Sequence, residues 1–304
     1  MTIRPLAILD LPQLYRFREE AIGLDTARTL TRGNPLDTAR LLAYMNPARH
    51  VYSAIANGEQ ASVVGGIIHA RDEVFAKMLY LAPASQLNNP ELPALIENLS
   101  AQAGSWGVFH VLAEVDENGG AFVPLRKAGF SVYAWQRMWE VSEVTESGSG
   151  FDWTRVRSIQ LPAVQSLYYQ IVPPLLQPVE PQPGNKIGWI CNEGARCYVG
   201  VTYGVYGIVL TPLIHPEATD VSSKLAALIG NLPDRRNRPV YVCVRSYQAW
   251  LEPVLADLGA KAAARQAVMV KHLARLVKET PTVPAVSSRV TVQPSQVSRA
   301  GTKK

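Results

Sequence analysis

Carboxylates and tyrosines beside strand-like runs are the residues of this chain whose placement would let them move protons. Asp72 and Glu73 directly precede the run Val74 to Ala82, and Glu114 and Asp116 close the run Phe109 to Val115. Either pair could act as a general base at a strand end. The plainer use of the same residues is a solvated turn in the first case and polar strand caps in the second. Tyr80 and Tyr133 lie within strand-like runs and could exchange a proton if they face a cleft. Strand tyrosines otherwise pack at a core edge. The three cysteines, Cys191, Cys197 and Cys243, show no CxxC spacing and suit small buried hydrophobes in a reduced protein. Cys191 and Cys197 flank a turn at Asn192-Glu193-Gly194, so a bridge between them is geometrically open. The five histidines carry no HxxxH or His/Cys spacing, and no metal site is expected from them.

Composition narrows the function classes. A chain of 304 residues can bury two ordinary cores, and no apolar run approaches the ~20 residues needed to span a bilayer. The N-terminus MTIRPLAILDLPQLYRFREE mixes charge with apolar residues where a signal peptide would be uninterrupted, which places the chain in the cytoplasm. The formal charge of +5 resides largely in the tail. From Thr280 onward there are four basic residues and no acidic one, leaving residues 1–279 at +1. A basic stripe on a folded element, the footprint of a nucleic-acid reader, is not evident, and Asp234-Arg235-Arg236-Asn237-Arg238 suits a solvated loop.

The elements that must position these residues are punctuated by Ser142 to Gly150, SEVTESGSG, a polar stretch suited to a linker, and by Pro281, beyond which the chain is rich in Pro, Ser and Thr. The expected organisation is a domain at 1–141, a linker at 142–154, a second domain at 155–279 and a disordered basic tail at 280–304. The two halves repeat each other. Ile3 to Phe17 resembles Val156 to Gln170, and Leu125 to Val141 matches Leu255 to Lys271 at a constant offset of 130, so that Gly129 meets Gly259 and Gln136 meets Gln266. In the first half, apolar periodicity predicts a strand at Ile3 to Leu6 and helices at Leu11 to Ile22 and Leu36 to Tyr44. A meander follows through Val51 to Ala56, Ala61 to His69 and Val74 to Ala82, then a helix around Leu95 to Ala103. Strand Phe109 to Val115, helix Ala121 to Lys127 and strand Val132 to Val141 complete it. Trp135 and Trp139 alternate onto one face of that last strand, a surface suited to joining the two domains or two chains of a homodimer. An acyl-binding floor is the sharper alternative.

This order of elements, together with Asn118-Gly119-Gly120-Ala121 followed by Leu125-Arg126-Lys127-Ala128-Gly129-Phe130, resembles the GNAT superfamily of N-acetyltransferases over nearly all of residues 1–141. The resemblance implies an α/β (α+β) fold in tandem, with a mixed central sheet flanked by helices in each domain and the second copy degenerate. It also implies acetyl-CoA as co-substrate, a small amine or peptide amine as acceptor, and coenzyme contacts at Asn118, at the backbone of Leu79 to Leu81, and at Gln86 and Asn88. Glu73, Glu114, Tyr80 and Tyr133 are then the candidate catalytic residues. Gly129, just past a helix, has an independent role, since glycine takes the left-handed conformation there at little cost.

Two departures bear on chemistry. The family's tyrosine, which protonates the leaving thiolate, is replaced by Leu125, and by Leu255 in the second copy. The pyrophosphate loop, glycine-rich in the family so that bare N–H groups can wrap phosphate, here reads Pro83 to Pro93 without glycine. Pro90 and Pro93 lack an N–H and Glu91 brings a negative charge, residues that suit an ordinary helix start. The corresponding His215 to Ser223 is no better suited. Two functions follow as expectations: an acyl-CoA-dependent N-acyltransferase, and a catalytically silent tandem protein that binds a partner or metabolite through the cleft or the domain interface.

Overall fold

The first element shows how the repeat is built. In the computed structural model, strand β1 (Thr2–Pro5) runs into a turn whose Asp10 carboxylate accepts the Ala7 N–H at 2.8 Å and two guanidinium bonds from Arg4 at 2.6 Å each. Helix α1 (Leu11–Phe17) then starts with Pro12 in its first turn, where a missing N–H costs nothing. In the second half, β8 (Trp153–Arg155) leads to a turn in which Gln160 Oε1 accepts the Arg157 N–H at 2.9 Å, and helix α5 (Leu161–Ile171) starts with Pro162. Leu14 and Val164 occupy the same fully buried place. The true correspondence is Leu11-Pro12 with Leu161-Pro162, three residues away from the Ile3/Val156 alignment. That is almost one helical turn, so apolar periodicity alone does not separate the two registers.

The structure describes residues 2–37, 50–58, 61–70, 73–141, 151–183, 187–191 and 195–273. Residues 142–150 of the expected linker (142–154) and the expected tail at 280–304 lie outside these residues, as does most of the expected helix Leu36 to Tyr44; Trp153 and Thr154, at the end of the expected linker, instead belong to strand β8. A short strand β2 (Ile22–Gly23) and a helix α2 (Thr26–Arg32) precede that region. Asp25 caps α2, its carboxylate accepting the Arg28 N–H at 3.2 Å. The meander is β3 (Val51–Asn57), β4 (Ser62–His69) and β5 (Phe75–Ala82), followed by α3 (Leu92–Ser105), β6 (His110–Asp116), α4 (Phe122–Lys127) and β7 (Ser131–Val141). The second half adds β9 (Ile187–Cys191), β10 (Cys197–Tyr203), β11 (Ile208–Ile214), α6 (Val221–Gly230), β12 (Val240–Arg245), α7 (Leu251–Asp257) and β13 (Lys261–His272).

These strands form one mixed sheet in the order β1-β3-β4-β5-β6-β13-β7-β12-β11-β10-β9-β8, with β2 attached to β5. The order is palindromic and the last strands are exchanged. β13, the end of the second half, lies between β6 and β7, while β7, the end of the first, lies between β13 and β12. Gln266 pairs with Gln136 at the centre of symmetry, and the register slips on either side, at Tyr133 on β7 and at Ala263-Ala264 on β13. The same row continues outward to Asp116 on β6 and Arg245 on β12, giving four polar side chains abreast. Gln136 Nε2 donates to Gln266 Oε1 at 2.9 Å, Gln266 Nε2 donates to Asp116 at 2.9 Å, and Arg245 Nη1 donates to Gln136 Oε1.

Met1–Ala274 form one compact unit with a separate core under each half. The first core lies beneath α3 and α4 and takes in Ala267 and Met269 from β13. The second, beneath α6 and α7, takes in Trp139 and Val141 from β7. Trp135 stacks on Phe122 against the first core, so the two tryptophans of β7 join the halves. Two further segments cross over. Helix α2 rests on β10 and β11, and Val179 packs with Phe75, Leu112 and Val270. The β10–β11 turn closes on the end of α2, with Tyr206 N–H donating to Thr31 O at 3.1 Å.

Gly204 in that turn has no room for a side chain, since a Cβ would lie 2.0 Å from Thr31 O, whereas one on Gly230 would meet nothing within 4 Å. In urea unfolding, Gly204→Ala is expected to lose about 1–3 kcal/mol. Gly230→Ala should be neutral or gain up to about 1 kcal/mol, and equal effects would refute this packing. Asp10 sets a pH dependence as well. The Arg4 hydrogen bonds hold its carboxyl below the ordinary 3.8. Its contribution is therefore complete above that value and disappears as pH falls through the lowered one. Asp10→Asn should lower stability at neutral pH and flatten its acid limb, and an unchanged limb would contradict the assignment.

Candidate functional site

Parallel strands that part company leave peptide groups unpaired, and in each half such a splay is where a thioester arm could add as an extra strand. In the first half, β5 and β6 pair only from Phe75 to Lys77, and β5 bulges at Leu79, where its register against β4 slips between Tyr80 and Met78. The chain fills this gap itself. Ile22 and Gly23 pair with Leu81 and Tyr80, Leu24 N–H donates to Leu79 O at 2.9 Å, and Glu114 N–H donates to Leu24 O at 2.8 Å. Leu24 is buried in the first core. In the second half, β11 and β12 pair only from Ile208 to Leu210. Here one side chain occupies the β11 edge of the gap: buried Gln248 donates to Pro212 O at 2.9 Å and accepts the Ile214 N–H at 3.0 Å.

The loop after β5 is similarly committed. Ser85 N–H donates to Glu20 at 3.1 Å, and the N–H groups of Gln86, Leu87, Asn89, Glu91 and Leu92 all bond within the loop. Pro83, Pro90 and Pro93 have none to offer. Leu125 and Leu255, at the tyrosine position of the resemblance, are both fully buried.

The remaining candidates separate in space. Tyr80 is buried and donates to Ser53 Oγ at 3.0 Å, a core hydrogen bond. Glu73 lies in the turn before β5, its carbonyl 2.8 Å from His69 Nε2, and Asp72 is outside the described residues. Asn118 and Asn88 are exposed, and Gln86 is half-buried. Cys191, Cys197 and Cys243 are buried and unbridged. Histidines scattered in sequence meet in two pairs, His50 with His69 at 3.2 Å and His110 with His272 at 3.0 Å between Nδ1 atoms. Among the described residues, no three His, Cys, Asp or Glu side chains gather as metal ligands would.

Glu114 and Tyr133 do come together, in a place the sequence did not point to. Beneath the second half's splay is a cavity of about 100 Å³ bounded by Lys77 and Glu114 from the first half and by Glu180, Cys243, Arg245 and Tyr247 from the second. Buried Arg245 has its Nε 3.1 Å from Glu180 and its Nη2 3.9 Å from Glu114. Glu114 also accepts the Thr26 N–H at 2.9 Å, and Lys77 lies 3.7 Å from Asp25. Burial raises the Glu180 pKa against the pull of Arg245. Burial also pushes the Cys243 thiol up to about 12, so it is protonated and unreactive at neutral pH. Burial, then Glu180, moves Tyr133 well above its ordinary value. Its hydroxyl is buried without a hydrogen-bond partner among the described residues. The legible signal was a charge inside an apolar strand: Lys77 in FAKMLYLA, Glu114 in HVLAEVD and Arg245 in VYVCVR.

No helix among the described residues is long and apolar enough to cross a membrane. No family model and no curated protein matches the sequence. Solved structures do match. A GCN5-related N-acetyltransferase from Sphaerobacter thermophilus aligns at TM-score 0.56 and 12% identity, over 89% of this chain and 95% of that one. A tandem GNAT protein from the clavulanic acid biosynthesis pathway aligns at 0.52 and 13%, over 90% and 99%. A putative acetyltransferase from Pyrococcus horikoshii aligns at 0.52 and 10%, over 90% and 89%. Identities this low speak to architecture alone, and the architecture is clear: this chain has the fold of the GCN5-related N-acetyltransferases, in tandem.

Proposed function

We propose that this chain is a tandem GNAT-fold protein that holds a small ligand in the cavity between its halves and transfers no acyl group at either splay. The observation that carries this reading is the closure of both clefts by the protein's own groups. A pantetheine arm would have to displace Ile22 to Leu24 from β5, or Gln248 from β11, before finding a free peptide group. Each exchange trades a made intramolecular hydrogen bond for another and gains little. The buried leucines at 125 and 255 and the committed loop amides support the same conclusion. We also infer a cytoplasmic setting, which three buried, unbridged cysteines suit.

The acyl-CoA-dependent N-acyltransferase remains the second reading, favoured by one feature, the bulge at Leu79 in the strand that would polarise a thioester carbonyl. It requires acetyl-CoA to bind. Binding at ~100 times the dissociation constant would add roughly 2.7 kcal/mol to stability. The expected result is no change in melting temperature with acetyl-CoA or free CoA up to millimolar concentration, and no thiol release with a panel of amines. A saturable rise, or turnover, would establish the second reading instead.

The cavity's charges give an independent check. Removing one member of a buried ion pair strands the other, so Glu180→Met and Arg245→Met should each cost about 3–5 kcal/mol. The double variant should cost clearly less than their sum in chemical unfolding. Additive losses would show that the two side chains do not pair.

A further inference from the structure

We propose that the recess where the β10–β11 turn meets the end of α2 binds a small organic polycarboxylate, at a place apart from both splays and from the cavity above. The recess holds about 710 Å³, within the range of small-molecule sites, and is bounded by Arg32, Tyr203, Gly204, Val205, Arg236 and Arg238. Every charged side chain in that wall is a guanidinium. Among the described residues, the one ion pair these three arginines make is Arg236 with Asp234, at 3.8 Å between exposed groups, and such pairs are worth little. Arg238 is held by carbonyls: it donates to Gly204 O and Asp234 O, and from Nε to Arg235 O at 3.0 Å. Carbonyls orient a guanidinium and leave its charge in place.

The repeat shows that this wall is an addition to the fold. Between α3 and β6 the first half uses four residues, 106–109, whereas between α6 and β12 the second uses nine, 231–239. The longer loop holds Asp234, Arg236 and Asn237 at φ of 55°, 46° and 57°. Asp and Asn tolerate this left-handed region, but an arginine there is strained, and strain of this kind gathers at ligand sites. The facing wall is also fixed. Tyr206 N–H donates to Thr31 O at 3.1 Å and Gly204 has no room for a side chain against Thr31, which holds Arg32 of the first half beside the arginines of the second.

Guanidinium forks match carboxylate and phosphate alike. Two features favour carboxylate. Phosphate sites add bare N–H groups at a helix N-terminus or nest, but the helix end here is the C-terminus of α2, and the amides of Gly204, Tyr206 and Arg238 bond to the carbonyls of Gly207, Thr31 and Arg235. Tyr203 and Val205 add an apolar part to the wall, against which a carbon skeleton can pack.

The test is thermal unfolding of the full chain with sodium citrate, sodium pyrophosphate or sodium chloride at equal ionic strength. At about twenty times its dissociation constant, citrate raises the midpoint by roughly 3 °C over chloride. Pyrophosphate, which brings charge without a carbon skeleton, should bind at least about tenfold more weakly. Arg32→Glu and Arg236→Glu, both at exposed positions, should each abolish the citrate rise, and Arg32→Lys, which keeps the charge and loses the fork, should reduce it. Arg236→Gly separates binding from folding: relieved of the left-handed strain, the unliganded chain should melt at the same temperature or higher while citrate binds about tenfold more weakly. No saturable rise over chloride, or a rise unchanged in both Glu variants, overturns the site, and pyrophosphate binding as tightly as citrate overturns the carboxylate assignment. The acetyl-CoA measurement tests the non-transferring reading separately, whatever citrate gives.

Discussion

The antiparallel pairing of β7 with β13 is the constraint on which the rest of the structure depends. Because each strand ends one half and completes the other's sheet, neither core is closed by its own sequence: Ala267 and Met269 fill the first, Trp139 and Val141 the second. At the centre, Gln136 and Gln266 bond side chain to side chain. Thr26 Oγ1 donates to the same Gln266 oxygen at 3.0 Å, which ties α2 to the symmetry axis. A polar row crossing a sheet is stabilising only when its members are satisfied. Here the row reaches Asp116 at one end and Arg245 at the other.

Those two ends break the symmetry and explain why the halves differ. On β12 the position holds Arg245, which points to Glu180 and Glu114 and supports a charged cavity. On β6 it holds exposed Asp116, and the first half's corresponding face is filled by Leu14, Leu36, Leu79 and Tyr80. One half thus keeps an apolar packing surface and the other a polar recess. Closing the clefts fits the same division. The first is sealed by backbone, which makes Leu24 part of a core. The second is sealed by one side chain, Gln248, which satisfies a carbonyl and an amide that would otherwise be orphaned in the interior.

Much of this architecture was legible in the sequence. The meander, its following helices and the repeat at the offset of 130 all show in apolar periodicity, and the glutamines matched by that offset are the two that meet at the axis. The exchange of strands was not legible, because an alternating segment shows the same pattern whichever sheet it joins. The helix Thr26–Arg32 was missed because three threonines in seven residues argue locally against a helix, while its docking on β10 and β11 decides otherwise. Glu114 and Tyr133 stand out in the sequence as a carboxylate and a hydroxyl on strand-like runs. Their companions Glu180 and Arg245 come from segments far apart in the chain, and only the crossing of those segments brings the four together.

Amide hydrogen exchange on the intact chain tests the shared sheet most directly. If β7 and β13 complete each other's halves, their amides exchange last and together, opening only with global unfolding. If the halves are instead independent, β13 will exchange through a lower-energy opening along with β8 to β12, while β7 remains protected with β1 to β6. That outcome would contradict the account.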